Sequence, residues 1–493
     1  MRRRSAYLPV LIAASAIFAA TPVSGFILNP NDPDPWLSTA SGPRTGNGDA
    51  ATITWSIVPD GTNVTRDTGI GTAPSNLIAF MNTNFGGNPA QPDLTQQPWF
   101  HLIDESFGRW AELGGVNYVY EPHDDGVLHP STSGVLGVRG DIRIGGYNID
   151  GAGDVLAFNY LPPDGSDMVL DTGEAAFFTN TANDHVNFRN TAMHEIGHGF
   201  GMLHVNSTSN LLMEPVINTS FDGPQLDEVR GVQFFFGDAN EETSGQGNGS
   251  AAMATSLGTI AVGTSKMVGA AADVPGQLIS ATAMDFVSIS NTGDADYYSF
   301  TVSQPSQLSA TLTPRGGVFT QASQGQTPTS FDANARNNLA LTVFATNGTS
   351  ILATASANPA GAIESLADVT LAGAGMYYAH VNGADDTIQL YELSLSITAL
   401  LAGDFNFDGT VDAADYVVWR KTDGSPAGYN LWRANFGQPA GVGAGSSSAH
   451  LSVEPLPPAV PEPAAASLLM FAALGWCLRD VGSHRKSQQR INA

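Results

Sequence analysis

The stretch at residues 194–204 constrains this chain most, because it reads H-E-x-x-H-x-x-G-x-x-H. On a helix, residues four apart share a face, so His194 and His198 can direct their imidazoles at one ion. Gly201 can take a positive φ, which ends the helix and turns the chain back, so that His204 becomes a third ligand. Three imidazoles leave the fourth position of a tetrahedral zinc open for water, as in catalytic sites. A lone histidine pair is often accidental, but five residue types at fixed spacing predict one catalytic Zn²⁺.

The residue after the first histidine is Glu195. It lies one step round the helix from His194, beside the ion without binding it, where it can polarise a bound water. We expect Glu195 to act as a general base that takes the water's proton and passes it to a leaving amine.

The same stretch resembles the signature of the metzincin zinc peptidases. Residues 211–215 (Leu-Leu-Met-Glu-Pro) follow the third histidine as the methionine turn does in that class, with Met213 as an apolar floor beneath the ligands. A methionine in an apolar run is by itself usually plain core. Residues 225–237 look like the closing helix of the matrixin branch. The resemblance covers residues 50–237 and implies an α+β zincin catalytic domain, a zinc-dependent endopeptidase and a polypeptide substrate.

The resemblance also implies a calcium ion in this domain. Residues 150–157 look like the matrixin loop that wraps calcium, and residues 170–174 look like the acidic segment that completes it; carboxylates and Gly-rich carbonyls suit a hard cation. The expected ligands are Asp150, Gly151, Gly153, Val155, Asp171 and Glu174. An acidic, solvated loop is the alternative. The matrixin ligands of a structural zinc are replaced by Arg143, Gly145, Phe158 and Val169, so we expect no structural zinc.

A short apolar run after the acidic loop is predicted to form the edge strand above the cleft, with Leu156, Ala157 and Phe158 facing the substrate. An edge strand exposes unpaired N–H and C=O groups, so an extended peptide can dock as an added strand. This favours a polypeptide over a small molecule as substrate.

Alternation and helical spacing predict the elements around the site. We expect strands at 51–57, 116–120 and 141–144 and a helix at 99–113. The active-site helix is predicted to start near Asn187 as its N-cap, with Phe188, Met193 and Ile196 buried.

Composition limits the possible partners. The 493 residues predict several domains, and the net charge of −26 is concentrated in the body of the chain because both ends are basic. Such acidity argues against nucleic acid and anionic membrane surfaces and favours calcium, although it also keeps an exported protein soluble. Cys477 is the only cysteine, so we expect no internal disulfide and no thiol to block the zinc.

The ends of the chain carry targeting patterns. Residues 1–25 read as a secretory signal, and residues 26–49 are a polar segment too short for a folded pro-domain. Residues 438–459 read as a linker. Residues 460–493 resemble the PEP-CTERM sorting signal, whose apolar run is short for a stable span. It implies a transient membrane anchor processed by an exosortase-type enzyme and an extracellular or cell-surface protein; a permanent anchor is the alternative.

Two further modules follow the catalytic region. Residues 238–251 read as a linker, and residues 252–398 are predicted to form an all-β sandwich. The sandwich resembles the pre-peptidase C-terminal domain at 294–302 and 373–381, where the paired aromatics suit cross-strand contacts; a carbohydrate- or protein-binding role is the alternative.

Residues 402–437 are predicted to form a small helical calcium module. Oxygen ligands recur at the spacing of a calcium loop with Gly409 at its turn. The expected ligands are Asp404, Asn406, Asp408, Thr410, Asp412 and Asp415. Asp415 in the last position makes the loop resemble a dockerin, which implies a surface or cohesin-like partner. The pattern Tyr-x-x-Trp-Arg at 416–420 recurs at 429–433. The second copy has no acidic loop before it, so the module departs from a full dockerin pair.

Together the patterns predict a multidomain, secreted or surface-attached zinc endopeptidase that binds one zinc and two calcium ions. Two alternatives stay open, a non-catalytic surface adhesin and a calcium-dependent scaffold assembled through residues 402–437. The intact Glu195 speaks against the adhesin.

Overall fold

The first half of the protein is built around a mixed five-stranded sheet. The computed structural model describes residues 25–28, 36–130, 133–162, 165–242, 247–274 and 278–438, which lie within one compact unit. Four strands are parallel and the fifth runs antiparallel at the edge. In spatial order the strands are Val116–Tyr120, Ala51–Ile57, Ile142–Tyr147, Met168–Asp171 and Ala157–Asn159. The three strands predicted in this region are confirmed, and the predicted edge strand occupies the sheet edge.

Two helices cover the sheet and meet in an aromatic core. The helix Phe100–Leu113 buries its apolar stripe, as the spacing predicts, and Val186–Gly199 is the active-site helix. The ring centroids of Trp55 and Phe107 lie 4.8 Å apart between sheet and helix. The indole of Trp110 donates to the carbonyl of Met193 at 3.0 Å. This bond joins the two helices directly behind the histidines.

The prediction that Asn187 caps the active-site helix is wrong. The helix begins at Val186, and its N-cap is His185 at a φ of 55°. Asn187 lies inside the first turn, where its side-chain amide donates to the carbonyl of Phe177 at 3.1 Å. The capping side chain is used for a tertiary contact instead. Phe188, Met193 and Ile196 are buried as predicted.

The segment 26–49, which follows the predicted signal, contains residues that pack into the fold. Phe26 is buried, and Ile27–Leu28 pairs antiparallel with Met202–Leu203. Trp36 donates its indole N–H to the carbonyl of Gly199 at 3.1 Å. These residues therefore pack against the end of the active-site helix.

Residues 252–398 are all-β, with two sheets that share one apolar core. One sheet contains Thr255–Thr259, Ala295–Val302, Gly375–Gly383, Leu339–Phe344 and Ile351–Ala355. The other contains Thr264–Val268, Gln389–Ala399, Ser306–Arg315 and Glu364–Leu371, with Val287–Ile289 pairing with Gln389–Ala399. The two aromatic motifs at 294–302 and 373–381 lie on neighbouring antiparallel strands, where the rings of Phe300 and Tyr377 stack.

One hairpin from this all-β region pairs with the catalytic part, which the strand pattern did not predict. It consists of Val318–Ser323 and Thr329–Asp332, and we call it the bridging hairpin. Its first strand pairs antiparallel with Val205–Ser207, directly after the third histidine. The result is a three-stranded sheet shared by two regions far apart in sequence.

The predicted linker at 238–251 is partly structured. It begins with the short helix Ala239–Glu242, and Asp238 and Asn248 are buried. The sequence predicted only a linker here, whereas these two polar residues lie inside the structure.

The C-terminal described residues form two packed helices, Ala413–Thr422 and Pro426–Asn435. The repeated Tyr and Trp residues contact each other across this pair, with the rings of Tyr416 and Trp432 5.1 Å apart.

Three of the predicted segments lie outside the described residues. They are residues 1–24 of the predicted signal, most of the predicted linker at 438–459 and the predicted sorting signal at 460–493. The remaining helices are Leu77–Asn84, Ala175–Phe178 and Leu226–Phe236, with 3-10 turns at Leu94–Gln96 and Ala270–Ala272, and the remaining strands are Ser38–Thr39, Gly42–Pro43, Asn63–Thr65 and Thr72–Pro74.

Candidate active site

Three histidines converge at the end of the active-site helix. His194 and His198 lie one turn apart on Val186–Gly199, and Gly201 then reverses the chain at a φ of 103°. This turn brings His204 back towards them, as the motif predicts. The Nε2 atoms of His194 and His204 lie 3.1 Å apart, and the ligand atoms of all three lie within 4.8 Å of one another.

The outward nitrogens of the three rings each contact an oxygen. His194 Nδ1 lies 2.7 Å from the carbonyl of Leu212, and His198 Nδ1 lies 2.7 Å from the carbonyl of Met202. His204 Nδ1 lies 3.2 Å from the side-chain oxygen of Gln324. Each Nδ1–H donates to its oxygen, which leaves the Nε2 lone pairs directed at one point.

The arrangement fits a tetrahedral zinc. Zn–N distances of about 2.0–2.1 Å place neighbouring ligand nitrogens roughly 3.3 Å apart, close to the 3.1 Å observed here. Burial, followed by the charge of the neighbouring imidazoles, holds the pKa of His194 well below its usual value. Burial likewise lowers the pKa of His198 to about 4. These two lowered pKa values favour neutral rings, which is the form that binds metal, and burial lowers the pKa of His204 as well.

Glu195 lies beside this group with one unused oxygen. Its residue is 5% exposed, and Oε2 is buried without a hydrogen-bond partner among the described residues. Burial raises the pKa of Glu195 to about 8. Its backbone carbonyl accepts a bond of 2.6 Å from the side chain of Asn159, which ties the helix to the edge strand. The free oxygen suits a group that exchanges protons with a molecule in the cleft.

Met213 is buried against the active-site helix, with its sulfur next to Gly197. It is 1% exposed, and its backbone N–H donates to a carboxylate oxygen of Glu228 at 3.1 Å. The other oxygen of Glu228 accepts from the backbone of Gln225 at 2.9 Å. Glu228 thus joins the methionine segment to the closing helix Leu226–Phe236, a link that the sequence pattern did not reveal.

A cleft of about 510 Å³ is lined by Glu195 and by two of the three histidines, His198 and His204. The edge strand contributes Ala157, Phe158 and Asn159 to its lining, and Leu156 lies just before that strand, with its carbonyl accepting from Asp171. The other lining residues are Ile27, Leu161, Leu203, Ser323 and Gln324. The sequence pattern did not place Ile27, Ser323 or Gln324 at the cleft, because these residues lie far from the zinc signature in sequence.

The expected calcium ligands of the catalytic region come together as one folded loop. Asp171 Oδ1 accepts from the backbone N–H of Gly173 and of Ile149, whereas its Oδ2 is buried without a partner among the described residues. Glu174 accepts from the backbone N–H of Gly153, and Asp150 accepts from that of Val155 at 3.3 Å. Gly151 lies against Gly173, which closes the loop.

The second expected calcium loop is also closed by its own carboxylates. Asp415 is buried and accepts from the backbone N–H groups of Phe405, Asn406 and Asp412. Asp404 accepts from Gly409, and its Oδ1 is buried without a partner in the described part of the chain. Asp408 accepts from Thr410. The loop residues are thus held in place around an unpaired carboxylate oxygen.

A second compact cluster of potential ligand atoms was missed by the sequence pattern. Asp238, Glu241 and Asp296 place carboxylate oxygens within 4.8 Å of one another where the short helix after the catalytic region meets the all-β region. Asp238 and Asp296 are fully buried, and burial raises the pKa of all three carboxyls. Asp238 fell in the predicted linker, so only the tertiary structure joins it to Asp296.

Arg143 fills the place where the resemblance puts a structural-zinc ligand. Its guanidinium makes two hydrogen bonds with Asp124, at 2.8 Å and 2.6 Å, and both side chains are buried. This corner of the sheet is therefore held by a buried ion pair.

The comparisons with known proteins agree with the geometry. Residues 85–237 match the model of the Matrixin family. The chain is 29% identical over 188 residues to Metalloendoproteinase 5-MMP of Arabidopsis thaliana, covering 34% of this chain and 50% of that protein. It is 30% identical over 235 residues to Metalloendoproteinase 2-MMP of the same plant, covering 41% of this chain and 57% of that protein.

A shorter match, 33% identical over 105 residues, is to Matrix metalloproteinase-2 of Drosophila melanogaster, covering 20% of this chain and 14% of that protein. The chain thus spans about half the length of the two plant relatives. Residues 85–237 are thus similar to the Matrixin family, and both plant relatives are metalloendoproteinases by name.

Among solved structures, the chain is similar to the pre-peptidase C-terminal domain of collagenase from Bacillus anthracis. The identity is 15%, covering 29% of this chain and 96% of that one, with a TM-score of 0.18. This score is too low to assign a common fold, so the resemblance of residues 252–398 stays a prediction. Within the described residues, no helix is both long and apolar enough to cross a membrane.

Proposed function

We propose that this protein is a secreted or cell-surface zinc endopeptidase that hydrolyses peptide bonds of extracellular proteins. The observation that carries the proposal is the convergence of His194, His198 and His204 next to a cleft that Glu195, His198 and His204 line. The match of residues 85–237 to the Matrixin family supports it.

The three histidines would hold one zinc ion through their Nε2 atoms. When bound, the zinc polarises the scissile carbonyl and makes a water acidic enough to attack near neutral pH. The hydrogen bonds at Nδ1 keep the rings in the required tautomer and orientation. Met213 would support the helix that carries two of these ligands, since its sulfur lies against Gly197.

Glu195 moves the proton in the reaction. In its ionised form, which a cation held by the histidines would favour against the effect of burial, Glu195 accepts a proton at Oε2 from the attacking water as the water oxygen bonds to the carbonyl carbon of the substrate. The carbon–nitrogen bond then breaks, and the carboxyl returns that proton to the leaving amine. One water is consumed; its second proton also passes to the amine, so that a new carboxylate and a new ammonium group are released.

The edge strand Ala157–Asn159 selects an extended polypeptide. Among the strands that the structure describes, none pairs with its outer side, so its N–H and C=O groups can pair with a substrate backbone. Phe158 and Ala157 line the same cleft as Glu195. A substrate bound along this strand would therefore pass the histidines.

Two calcium ions belong to the same proposal. One would be bound by the loop with Asp171 and Glu174, and the other by the loop with Asp404 and Asp415. In each loop a buried carboxylate oxygen has no partner among the described residues, which fits an oxygen-seeking cation. The dockerin-like module would serve a surface partner, and an exosortase-type enzyme would process residues 460–493.

Casein cleavage by the full chain tests the proposal. We expect proteolysis with zinc and calcium present, loss of proteolysis with a chelator, and loss in Glu195→Ala. A folded, zinc-loaded protein that cleaves neither casein nor a peptide library would contradict the proposal and favour an adhesin. The full chain is needed because the bridging hairpin contributes to the cleft.

A further inference from the structure

The third histidine differs from the other two in how its ring is held. His194 and His198 contact main-chain carbonyls of Leu212 and Met202, which lie 18 and 4 residues away. His204 contacts the side chain of Gln324, 120 residues away in the all-β region. A main-chain carbonyl is retained under any substitution, whereas this side-chain contact can be removed by one.

The bridging hairpin is joined to the chain that follows His204 by several hydrogen bonds. Val205 pairs with Ser323, and Ser207 pairs with Gln321, in antiparallel register. The hydroxyl of Ser207 donates to the carbonyl of Thr320 at 2.6 Å. This pairing sets the position of residue 324 relative to residue 204, because both residues are immediate neighbours of the paired strands.

The hairpin packs with the core of the catalytic part rather than with the sandwich core. Phe319 and Phe331 belong to the same apolar cluster as Phe26 and Phe200, separate from the cluster shared by the two sheets. The guanidinium of Arg230, on the closing helix, lies 5.1 Å from the ring centre of Phe331. The hairpin is therefore anchored to the catalytic part on its own buried face.

The tip of the hairpin reaches the cleft. Ser323 and Gln324 line it together with Phe158 of the edge strand and Glu195. Gln324 is exposed, so water competes for its bond to His204 and the bond contributes less than a buried one would.

We propose that Gln324 is a positioning residue for the metal site. Its side-chain oxygen accepts from His204 Nδ1–H and thereby orients the third zinc ligand, so that metal retention by the catalytic part depends on a residue of the all-β region. The inference rests on the proposed zinc site and adds to it a contribution from outside residues 85–237.

The test compares two glutamines of the same hairpin in the full chain. Gln324→Ala removes the acceptor. Gln326→Ala is the matched control, because residue 326 contacts Asn206 through its backbone carbonyl, which the substitution keeps. Gln324→Glu keeps an acceptor oxygen and is the conservative variant. Zinc affinity is measured by competition with a chromogenic chelator, and folding is checked by near-UV circular dichroism.

We expect Gln324→Ala to weaken zinc binding by about tenfold, the lower end of the range for lost partners of metal ligands, because the contact is exposed. Gln326→Ala should bind zinc as the unmodified protein does, and Gln324→Glu should restore the affinity. With cobalt in place of zinc, the visible spectrum should change in Gln324→Ala and remain unchanged in Gln326→Ala.

Equal zinc affinities in Gln324→Ala, Gln326→Ala and the unmodified protein would overturn this inference while leaving the peptidase proposal intact. Zinc binding without cleavage of casein or of a peptide library would overturn the peptidase proposal, and the zinc affinities would still decide the role of Gln324. Failure of the folded, unmodified protein to bind zinc would overturn both.

Discussion

Gly197 of the active-site helix leaves the space that the sulfur of Met213 occupies. A β-carbon at position 197 would lie 2.5 Å from that sulfur and 3.3 Å from the terminal methyl carbon of Met202. Position 197 is one of the two variable positions between the first two histidines of the zinc motif, and it is thus closely packed. Met213 contacts the helix at this glycine, where there is no side chain in the way.

Gly197→Ala should therefore destabilise the protein despite the better helix propensity of alanine. Overpacking costs about 1–3 kcal/mol, and the gain in propensity offsets at most about 1 kcal/mol. Urea unfolding measures the difference. Gly199→Ala is the control in the same helix, since its nearest contact would be an ordinary 3.4 Å, and it should be close to neutral. Equal stabilities of the two variants would show that Met213 moves aside without cost.

Glu195→Gln should separate catalysis from metal binding. We expect kcat to fall by about 10²–10⁴-fold, because the amide cannot accept the water's proton. Zinc content should stay the same, since Glu195 lies beside the ligands and is not one of them. The free energy of unfolding should stay equal or rise, because an uncharged amide replaces a carboxyl whose charged form is disfavoured by burial. More than a tenth of the unmodified kcat would contradict the general-base role.

Asp296→Asn should stabilise the protein increasingly as the pH rises. Burial and the neighbouring Asp238 raise the pKa of Asp296 well above its usual value, and Tyr391 donates to its Oδ2 at 2.5 Å. The folded state therefore holds a proton that the unfolded chain releases near pH 4, so this contribution to stability is lost as the pH rises. Asparagine mimics the protonated acid at every pH.

The measurement is urea unfolding of both proteins between pH 5 and pH 8 in the presence of a chelator, which keeps cations off the cluster of Asp238, Glu241 and Asp296. The difference in free energy of unfolding should grow towards pH 8. Asp386→Asn, at an exposed carboxylate, is the control. A difference for Asp296→Asn that does not change with pH would contradict the prediction.

Arg143→Met should destabilise the protein by about 3–5 kcal/mol, because it leaves Asp124 buried without its charge partner. Adding Asp124→Asn should recover part of this loss. Arg139→Met is the matched control, since Arg139 and Asp125 form an ion pair of similar length, 2.7 Å, whose side chains are 20% and 31% exposed. It should cost less than about 1 kcal/mol. Urea unfolding measures the loss of stability in each variant. Comparable losses would contradict the prediction that breaking the buried ion pair costs more than breaking the partly exposed one.

The elements predicted from local patterns agree with the structure over most of the site region. The strand Ala51–Ile57 and the helix Phe100–Leu113 agree with their predicted positions to within one residue. The capping prediction at Asn187 failed because the side chain found a tertiary partner in Phe177. Capping preference is a matter of about 1 kcal/mol, so a buried contact can outweigh it.

The sequence by itself determined the geometry of the histidines. The four-residue spacing of His194 and His198 and the glycine at 201 act through helix periodicity and backbone freedom, which are local properties. Only the tertiary structure decided which residues from distant parts of the chain meet, both at the histidines and at the separate carboxylate cluster. Gln324 reaches His204 across 120 residues, and Asp238 meets Asp296 across a predicted linker. Such contacts depend on how separate sheets and helices pack, and no short-range pattern in one chain encodes that packing.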